Sequence, residues 1–450
     1  LGKKTKKNVI ENKNKNINPK KSVKVKKLKN KNKLKNKNRI KKNKNKITIS
    51  GLDEENIINL IKNQTKSLKC DFLKTHNAKY IGEGVKNVVL EGCVDTNCNK
   101  KIAIRLMGIS NLYKYDKHHP INIEIDLYKK INKLNDNNIF PHVPYLLKSI
   151  NCDYSKIFKS LNDLNNNNKK EKLSEVDIKL MEQIYYKEIK KEIKIIALEY
   201  CHLGSLSNFI VKYRKNNDYL RNAMFQAILG LVTLQYHIKE FKHNDLHTEN
   251  VLLGNYNFEN EMRYKNLIKE EKNKYYIKYH IFGEEYYIPY LGFCVKLFDF
   301  DNSTSKGNHN VKLDKDLLYP QYGSTNLINP IFDYHLLINS GFHGLHEKEK
   351  LSKEFNDFYE EQVEKKYRGK WGNFLGFHRL TNYYTTYDYH DVNLIPDSIA
   401  NPYDILFEHK IFEEYRKIPN NSDYIVIHTY NTKVPKMNNL QKKSRKDMFK

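Results

Sequence analysis

The sequence predicts an α+β protein with a bilobal architecture, in which a β-rich N-terminal lobe is followed by a mainly helical C-terminal lobe. Strand-like patterns come first along the chain and helical patterns come later. The charge is also uneven. Of a formal net charge of +28, residues 1–50 supply 21 Lys or Arg against a single acid, Glu11, so we expect a disordered basic tail ahead of a mildly basic body. That distribution excludes reading the whole fold as a nucleic-acid binder from its charge alone.

Shifts in composition set the expected boundaries. Lys and Asn dominate the first residues without any apolar periodicity, and a second polar tract at 165–170 indicates an insertion. We therefore predict, in chain order, a disordered tail at 1–50, an N-lobe at 51–198 with an insertion at about 155–190, a C-lobe at 199–433 with an insertion at about 255–293, and a basic C-terminal tail at 434–450.

The composition also excludes several classes of protein. Hydrophobic residues make up 39% of the chain, enough to bury a core, but no apolar run is long enough to cross a membrane. No hydrophobic secretory signal is visible, so we expect an intracellular protein that is not secreted. The six cysteines are scattered through a long chain, which is not a disulfide framework, and reduced thiols are expected.

The elements of the first half are predicted as follows. Strands occupy Tyr80–Glu91 and Lys101–Met107, around a turn at 95–99, because β-branched residues cluster there. A helix covers Asn122–Leu134, and a second is expected around Glu175–Glu192. Ile193–Leu198 is an apolar run of strand length.

The second half begins with the clearest helix. Apolar residues recur at helical spacing through Tyr219–Lys239. Three strand predictions follow: Val251–Leu253, a hairpin of Tyr275–Phe282 with Tyr286–Pro289, and Val295–Phe298. From Phe332–Ile338 a helical region is predicted to continue to the C-terminus, with an amphipathic piece at Glu349–Lys366.

The strongest chemical signal follows the long helix. His243-Asn244-Asp245-Leu246-His247-Thr248-Glu249-Asn250 leads into the apolar run at 251–253. An Asp followed five residues later by an Asn and then a strand resembles the catalytic loop of protein kinases. A plain polar turn is the simpler alternative. A third interpretation takes His243 and His247 as a zinc pair, which requires a helix and a further ligand.

A second signal is the apolar strand that ends in Phe298-Asp299-Phe300-Asp301. It resembles the metal-binding Asp-Phe-Gly of kinases, with Asp301 in the position of the glycine. On its own it is weak, since strands often end in Asp. The hairpin at 275–289 supplies the insertion that separates it from the loop.

Three weaker signals lie upstream. Ile81-Gly82-Glu83-Gly84-Val85-Lys86-Asn87-Val88-Val89 resembles a glycine-rich nucleotide loop, although a lone Gly-x-Gly is usually a hairpin turn. Ile102-Ala103-Ile104-Arg105 resembles the strand whose Lys holds the phosphates of the nucleotide, with Arg as the cation. Glu124 follows on the predicted helix, where it could pair with Arg105 or be an ordinary surface charge.

The last weak signal is Ile196-Ala197-Leu198-Glu199-Tyr200-Cys201, followed by Gly204. It resembles the hinge between kinase lobes, in which the backbone of Glu199 and Cys201 would bond adenine beside Leu198. By itself it is an ordinary strand and turn.

The order of these motifs matches that of protein kinases, and Asp333 resembles the buried Asp that braces the catalytic loop. Over about Ile81–Lys417 the chain resembles serine/threonine protein kinases of giant DNA viruses, mimivirus-like. The resemblance implies a protein-kinase-like fold and ATP-dependent transfer of phosphate to protein Ser/Thr hydroxyls, with Mg²⁺ or Mn²⁺. It implies host cytoplasm or virion as location.

The resemblance also assigns the site residues. The catalytic residues are Asp245, His247 and Asn250, and the metal ligands are Asn250 and Asp299. The ATP-binding residues are Gly82, Glu83, Gly84, Val89, Ala103, Arg105, Glu124, Leu198, Glu199 and Cys201.

Two departures keep alternatives open. Serine/threonine kinases usually carry Lys at the position of His247, and an Asp-Leu-His loop is also similar to small-molecule kinases. With Arg105 also irregular, a nucleotide-binding pseudokinase scaffold is a further alternative. The partners expected are ATP and a protein substrate. Residues 1–50 could bind nucleic acid or an anionic surface non-specifically, or could be a solvated extension with no partner.

Overall fold

The computed structural model describes residues 61–157, 192–315, 324–368 and 401–433, with short gaps that include 73–77, 84–87 and 110–113. Both tails, the polar tract at 165–170 and all but the last residue of the helix expected around Glu175–Glu192 lie outside the described residues, and Glu192 itself begins a strand. Within the described part, the mixed α+β class is confirmed.

A five-stranded sheet dominates the first half of the described chain. Its strands are β1 (Lys79–Glu83), β2 (Val88–Cys93), β3 (Lys101–Ile109), β4 (Leu146–Asp153) and β5 (Glu192–Glu199). They lie in the order β1-β2-β3-β5-β4, and all neighbours are antiparallel. The predicted strands are present, with Tyr80–Glu91 divided into two, whereas β4 was not predicted.

The sheet is apolar on both faces because its strands alternate between two cores. Ile102, Ile104 and Leu106 point to one side, where Leu68 and Phe72 of the preceding segment cover them. The other side faces the helix α1 (Pro120–Asp136), whose first turn carries Pro at a favoured position. A polar side chain on that second face is thereby held between the sheet and α1.

Helices make up much of the second half. They are α2 (Leu206–Tyr213), α3 (Asn217–His237), α4 (Glu261–Leu267), α5 (Val311–Lys315), α6 (Phe332–His346), α7 (Lys353–Gln362) and α8 (Pro402–Glu408). The predicted long helix is α3, which begins after Asn216 because that side chain accepts a hydrogen bond from the Tyr219 amide. The predicted amphipathic helix begins later than expected, at Lys353, where Ser352 caps it.

Two small sheets complete this half. β6 (Val251–Gly254) pairs antiparallel with β9 (Cys294–Leu297). The predicted hairpin is β7 (Tyr275–Ile281) and β8 (Glu284–Pro289), and β10 (Ile425–Asn431) adds to it in parallel with β7. The prediction of a helical region up to the C-terminus was therefore wrong at β10. This pairing joins segments about 150 residues apart, which local periodicity does not register.

Helix α3 lies close against β9. A Cβ atom at Gly230 would be 2.5 Å from Leu297 Cδ1 and 3.2 Å from His142 Cβ. The absent side chain lets α3 approach the strand that leads into Asp299, and so fixes that strand's position over the core.

The structure contradicts the expectation of reduced thiols at four of the six cysteines, whereas Cys201 and Cys294 are free. It pairs Cys70 with Cys152, and Cys93 with Cys98. Cys70 and Cys152 are 82 residues apart and meet beside β4, a strand that the sequence analysis did not predict. Among the described residues, no helix is long and apolar enough to cross a membrane.

Candidate functional site

The loop after α3 is hydrogen-bonded to a carboxylate at the start of α6. Asp333, which is fully buried, accepts hydrogen bonds from the amides of His243 at 2.7 Å and Asn244 at 2.9 Å. Asn244 has a left-handed backbone with φ of 66°, a conformation that Asn tolerates. The His243 ring lies 3.0 Å from the Phe298 carbonyl oxygen. These contacts join the loop to the end of β9, and the contact predicted from Asp333 is present.

Asp245 and Asn250 face each other across this loop. The Asn250 side-chain amide donates to the Asp245 carbonyl oxygen at 2.9 Å, and the turn at Thr248–Asn250 is a short 3₁₀ helix. His247 Nε2 lies 3.7 Å from Asp245 Oδ1. The segment is not an α-helix, so His243 and His247 do not have the geometry that a helical zinc pair requires.

The carboxyl group of Asp245 sits in a negative environment. Burial and the charges of Asp299 and Asp301 raise its pKa to about 7. Burial also lowers the pKa of His247. Asp245 is thus poised between its protonated and ionised forms near neutral pH, as a general base requires.

Arg105 connects three elements of the site. From β3 its guanidinium forms an ion pair with Glu124 of α1, and its Nη2 atom lies 2.8 Å from Asp299 Oδ1 after β9. Arg105 is 3% exposed and Glu124 is fully buried. Burial raises the pKa of Asp299, but the Arg105 charge outweighs it, so the pKa of Asp299 lies below its usual range. The alternative of a surface charge at Glu124 is therefore wrong.

Sheet register places other predicted nucleotide-binding residues beside Arg105. Val89 is opposite Arg105, and Ala103 is opposite Leu198. Since residues two apart on a strand share a face, these four side chains lie on one face of the sheet. It is the face that carries the ion pair with α1.

The glycine-rich segment is described only in part. Gly82 lies opposite Val89 at an irregularity between β1 and β2, and a Cβ atom there would meet nothing within 4 Å. Glu83 ends β1, but nothing is described of its side chain, and Gly84 lies outside the described residues.

The predicted hinge residues lie at the end of β5 and just after it. The Glu199 amide donates to the Tyr145 carbonyl oxygen at 2.9 Å. The Glu199 carboxylate accepts from Lys296 Nζ at 3.0 Å and from Asn257 Nδ2 at 2.6 Å. The Glu199 side chain therefore ties β5 to neighbouring segments. Cys201 packs against Gly254, where a Cβ atom would lie 3.3 Å from the Cys201 sulfur.

Three site residues were missed by the sequence analysis. Asn302 Nδ2 donates to Asp245 Oδ2 at 3.2 Å, and Lys312 Nζ lies 2.8 Å from Asp301 Oδ2. Neither has a local signal. Lys296 had one, because a lysine inside an apolar strand needs a buried partner.

Asn250 and Asp299 are the residues of the site that could hold a metal. No group of three or more His, Cys, Asp or Glu side chains in the described ranges is arranged to hold a metal. Asn250 and Asp299 leave the same end of the β6–β9 pair, and the Phe298 amide donates to Asn250 O at 3.2 Å. Mg²⁺ commonly takes one or two protein ligands and completes its shell with phosphates and water, so this pair suits it.

Comparison with known proteins finds a similar protein of a giant virus. The chain is 22% identical over 357 residues to a protein of Acanthamoeba polyphaga mimivirus named "putative serine/threonine-protein kinase", covering 75% of this chain and 69% of that protein. No protein-family model matches the chain. The similarity supports a kinase-like relationship.

Proposed function

We propose that this chain is an ATP-dependent protein kinase of bilobal fold that transfers the γ-phosphoryl group to Ser/Thr hydroxyls. The observation that carries the proposal is the bridge from Arg105 to both Glu124 and Asp299, beside the hydrogen-bonded loop of Asp245 and Asn250. One cation joins the sheet, α1 and the end of β9, and this supports the proposal because phosphoryl transfer needs a phosphate-binding cation close to a metal-binding carboxylate.

Each group has a role in this proposal. Asp245 orients the acceptor hydroxyl and takes up its proton. Asn250 and Asp299 hold Mg²⁺ or Mn²⁺, which would neutralise charge on the phosphates. Arg105 anchors the α- and β-phosphates, and Glu124 fixes its direction. Catalysis then consists of positioning and charge neutralisation.

The nucleotide would lie on the face of the sheet that carries Val89, Ala103 and Leu198. The Glu199 amide is already bonded to Tyr145, so adenine would be recognised by the Glu199 carbonyl and the Cys201 amide. Gly82, Glu83 and Gly84 would cover the phosphates with backbone amides. The boundaries of the two lobes, and binding of nucleic acid or an anionic surface by residues 1–50, stay predictions.

The test measures label transfer by the full chain. We would use γ-labelled ATP, Mg²⁺ or Mn²⁺ and a general protein substrate, followed by analysis of the labelled amino acids. Asp245→Asn keeps the volume of the side chain but removes the base, and Asp423→Asn, at an exposed turn, is the matched control. We expect label on Ser/Thr that Asp245→Asn abolishes and Asp423→Asn retains.

Other outcomes separate the alternatives. Transfer that survives Asp245→Asn would contradict the catalytic assignment. Transfer to a small hydroxyl compound such as an aminoglycoside or choline, and not to protein, would favour a small-molecule kinase. A metal-dependent rise in Tm with ATP and no transfer to either acceptor would favour a pseudokinase scaffold.

A further inference from the structure

The loop that carries Asp245 contains no fixed positive charge. Its sequence from Asp245 to Asn250 is Asp-Leu-His-Thr-Glu-Asn, and its basic residue is His247, whose charge is not fixed because an imidazole titrates close to neutral pH. A transferring phosphoryl group carries negative charge on its equatorial oxygens, and positioned Lys, Arg or metal ions stabilise that charge. A cation from another segment is therefore needed near Asp245.

Lys312 lies where such a cation would be useful. It is on α5, and its Nζ atom is 2.8 Å from Asp301 Oδ2. The side chains of Lys312 and Asp301 are only 11% and 22% exposed. Asp301 is two residues after Asp299, so this ion pair brings the Lys312 ammonium group to the segment that carries Asp299.

Hydrogen bonds of the Asn310 side chain fix the position of the backbone that carries Lys312. The Asn310 side-chain amide donates to the carbonyl oxygens of Asp301 at 2.8 Å and Ser303 at 3.2 Å, and the Lys312 amide donates to Asn310 Oδ1 at 3.1 Å. Asn310 is fully buried. One amide side chain therefore fastens the start of α5 to the segment after Asp299 and sets where Lys312 begins.

The segment that Lys312 contacts also reaches Asp245. Asn302, the residue after Asp301, donates from its side-chain amide to Asp245 Oδ2 at 3.2 Å. Arg105 forms ion pairs with Glu124 and Asp299, and Lys312 forms one with Asp301.

We propose that Lys312 binds the γ-phosphate and neutralises the charge that develops on it during transfer, in place of a cation from the loop at 245–250. In this step the bond between the γ-phosphorus and the oxygen bridging to the β-phosphate breaks. The acceptor oxygen forms the new bond to phosphorus, its proton passes to Asp245, and ADP leaves with the bonding electron pair. The inference rests on the proposed function for the reaction, and on Lys312 alone for the position of the charge.

The decisive experiment removes the positive charge of Lys312 and, in a second variant, places a positive charge in the loop at 245–250. In the full chain, Lys312→Met should lower kcat by about 10²–10³-fold, the usual effect of removing one donor from a charged transition state. Lys312→Arg should stay within about tenfold of wild type because it keeps the charge. The double variant Lys312→Met/His247→Lys should recover at least about tenfold over Lys312→Met, since a cation is again beside Asp245. Lys306→Met, which removes an exposed lysine of the same segment, is the matched control, and its kcat should stay close to wild type.

A structural role would give a different pattern. If Lys312→Met acted by leaving Asp301 unpaired, Asp301→Asn/Lys312→Met would restore activity and His247→Lys would not, and the inference would be overturned. Wild-type kcat in Lys312→Met would also overturn it.

A binding measurement separates this inference from the proposed function. In Mg²⁺, Lys312→Met should weaken binding of ATP but not of ADP, because only ATP has a γ-phosphate. That result would support the inference even if the wild-type chain transferred no phosphate, which would count against the proposed function alone. Equal effects on ATP and ADP, or none on either, would count against Lys312.

Discussion

At the scale of single residues, the site depends on the planar fork of Arg105. A guanidinium can bond two carboxylates at once, whereas the ammonium of Lys is a compact point charge on a flexible stem. Arg105 uses this property to hold Glu124 and Asp299, which come from different elements. The cation thereby acts as a structural link, in addition to the phosphate contact proposed for it.

This geometry predicts the effect of a conservative change. Arg105→Lys should lower the free energy of unfolding by about 1–3 kcal/mol, because one buried carboxylate loses its partner. Urea unfolding measures the change, with Arg214→Lys, whose guanidinium bonds the Val211 carbonyl oxygen on the surface, as the matched control. Equal stability of wild type and Arg105→Lys would show that the fork is not needed.

The pH dependence of activity should come from Asp245. Burial lowers the pKa of the His247 ring, whereas burial and the charges of Asp299 and Asp301 raise the pKa of Asp245 to about 7. A general base works only when ionised, so kcat/KM should fall as the pH drops below about 7, far above the usual Asp pKa of about 3.9.

A rate profile between about pH 5.5 and 8.5 tests this assignment, since an unperturbed Asp would be ionised across that whole range. His247→Gln, which does not titrate, should keep the acidic limb at the same midpoint. Loss of that limb in His247→Gln would assign it to the histidine instead.

At the scale of elements, a buried ion pair links two strands that flank the site. Lys296 of β9 and Glu199 at the end of β5 lie 3.0 Å apart, with exposed side-chain fractions of 2% and 5%. The link joins the strand that precedes Asp299 to the predicted hinge. We expect this ion pair to position the two strands rather than to add net stability, because desolvation offsets much of the attraction in a buried pair.

Removing Lys296 alone should therefore cost more stability than removing both charges of the pair. Lys296→Met leaves the Glu199 carboxylate buried without its cation and should cost about 3–5 kcal/mol of stability. Lys296→Met/Glu199→Gln, which removes both charges, should recover most of that loss. Chemical denaturation of the three proteins measures it, and a double variant no more stable than Lys296→Met would refute the explanation.

Elements that bury one continuous pattern were predictable from the sequence. Helix α3 was found because its apolar residues recur at 3.6-residue spacing, and strand β9 because its short apolar run is interrupted only by Lys296. Strand β10 was missed because its reason for being a strand is β7, far away in sequence. The pairing of Cys70 with Cys152 was missed for the same reason.

Residues of the candidate site were predictable from the sequence only where they belong to a local motif. Asp245, Asn250 and Asp299 have local motifs, and the structure brings them together. Asn302 and Lys312 have none, since their contacts depend on how the chain folds back after Asp299. Local sequence indicates which residues could act, whereas the tertiary contacts determine which neighbours set their charge.

At the scale of the whole molecule, the core contains histidines that must stay neutral. His142 lies between the Val295 carbonyl oxygen at 2.9 Å and the Tyr279 hydroxyl at 3.0 Å, and His335 lies 2.8 Å from the Asn339 amide nitrogen. Burial lowers the pKa of each to about 3. The folded protein therefore excludes protons that the unfolded chain would bind.

The sign of the effect on stability follows from this difference. An unfolded His binds a proton below about pH 6.5, whereas these two rings remain neutral until about pH 3. Unfolding thus takes up protons between these values, so each ring lowers the stability as the pH falls through that window. Between pH 7 and 5 the loss should be roughly 2 kcal/mol for each ring.

A single substitution isolates one of these contributions. His335→Gln cannot titrate, so its loss of stability from pH 7 to 5, measured by urea unfolding, should be smaller than that of wild type by roughly 2 kcal/mol. The comparison is a difference of differences, in which carboxylates and other groups common to both proteins cancel. His309→Gln, at an exposed ring, is the control. If His335→Gln and wild type lost the same stability on acidification, proton exclusion by the His335 site would not contribute to the acid sensitivity of the fold.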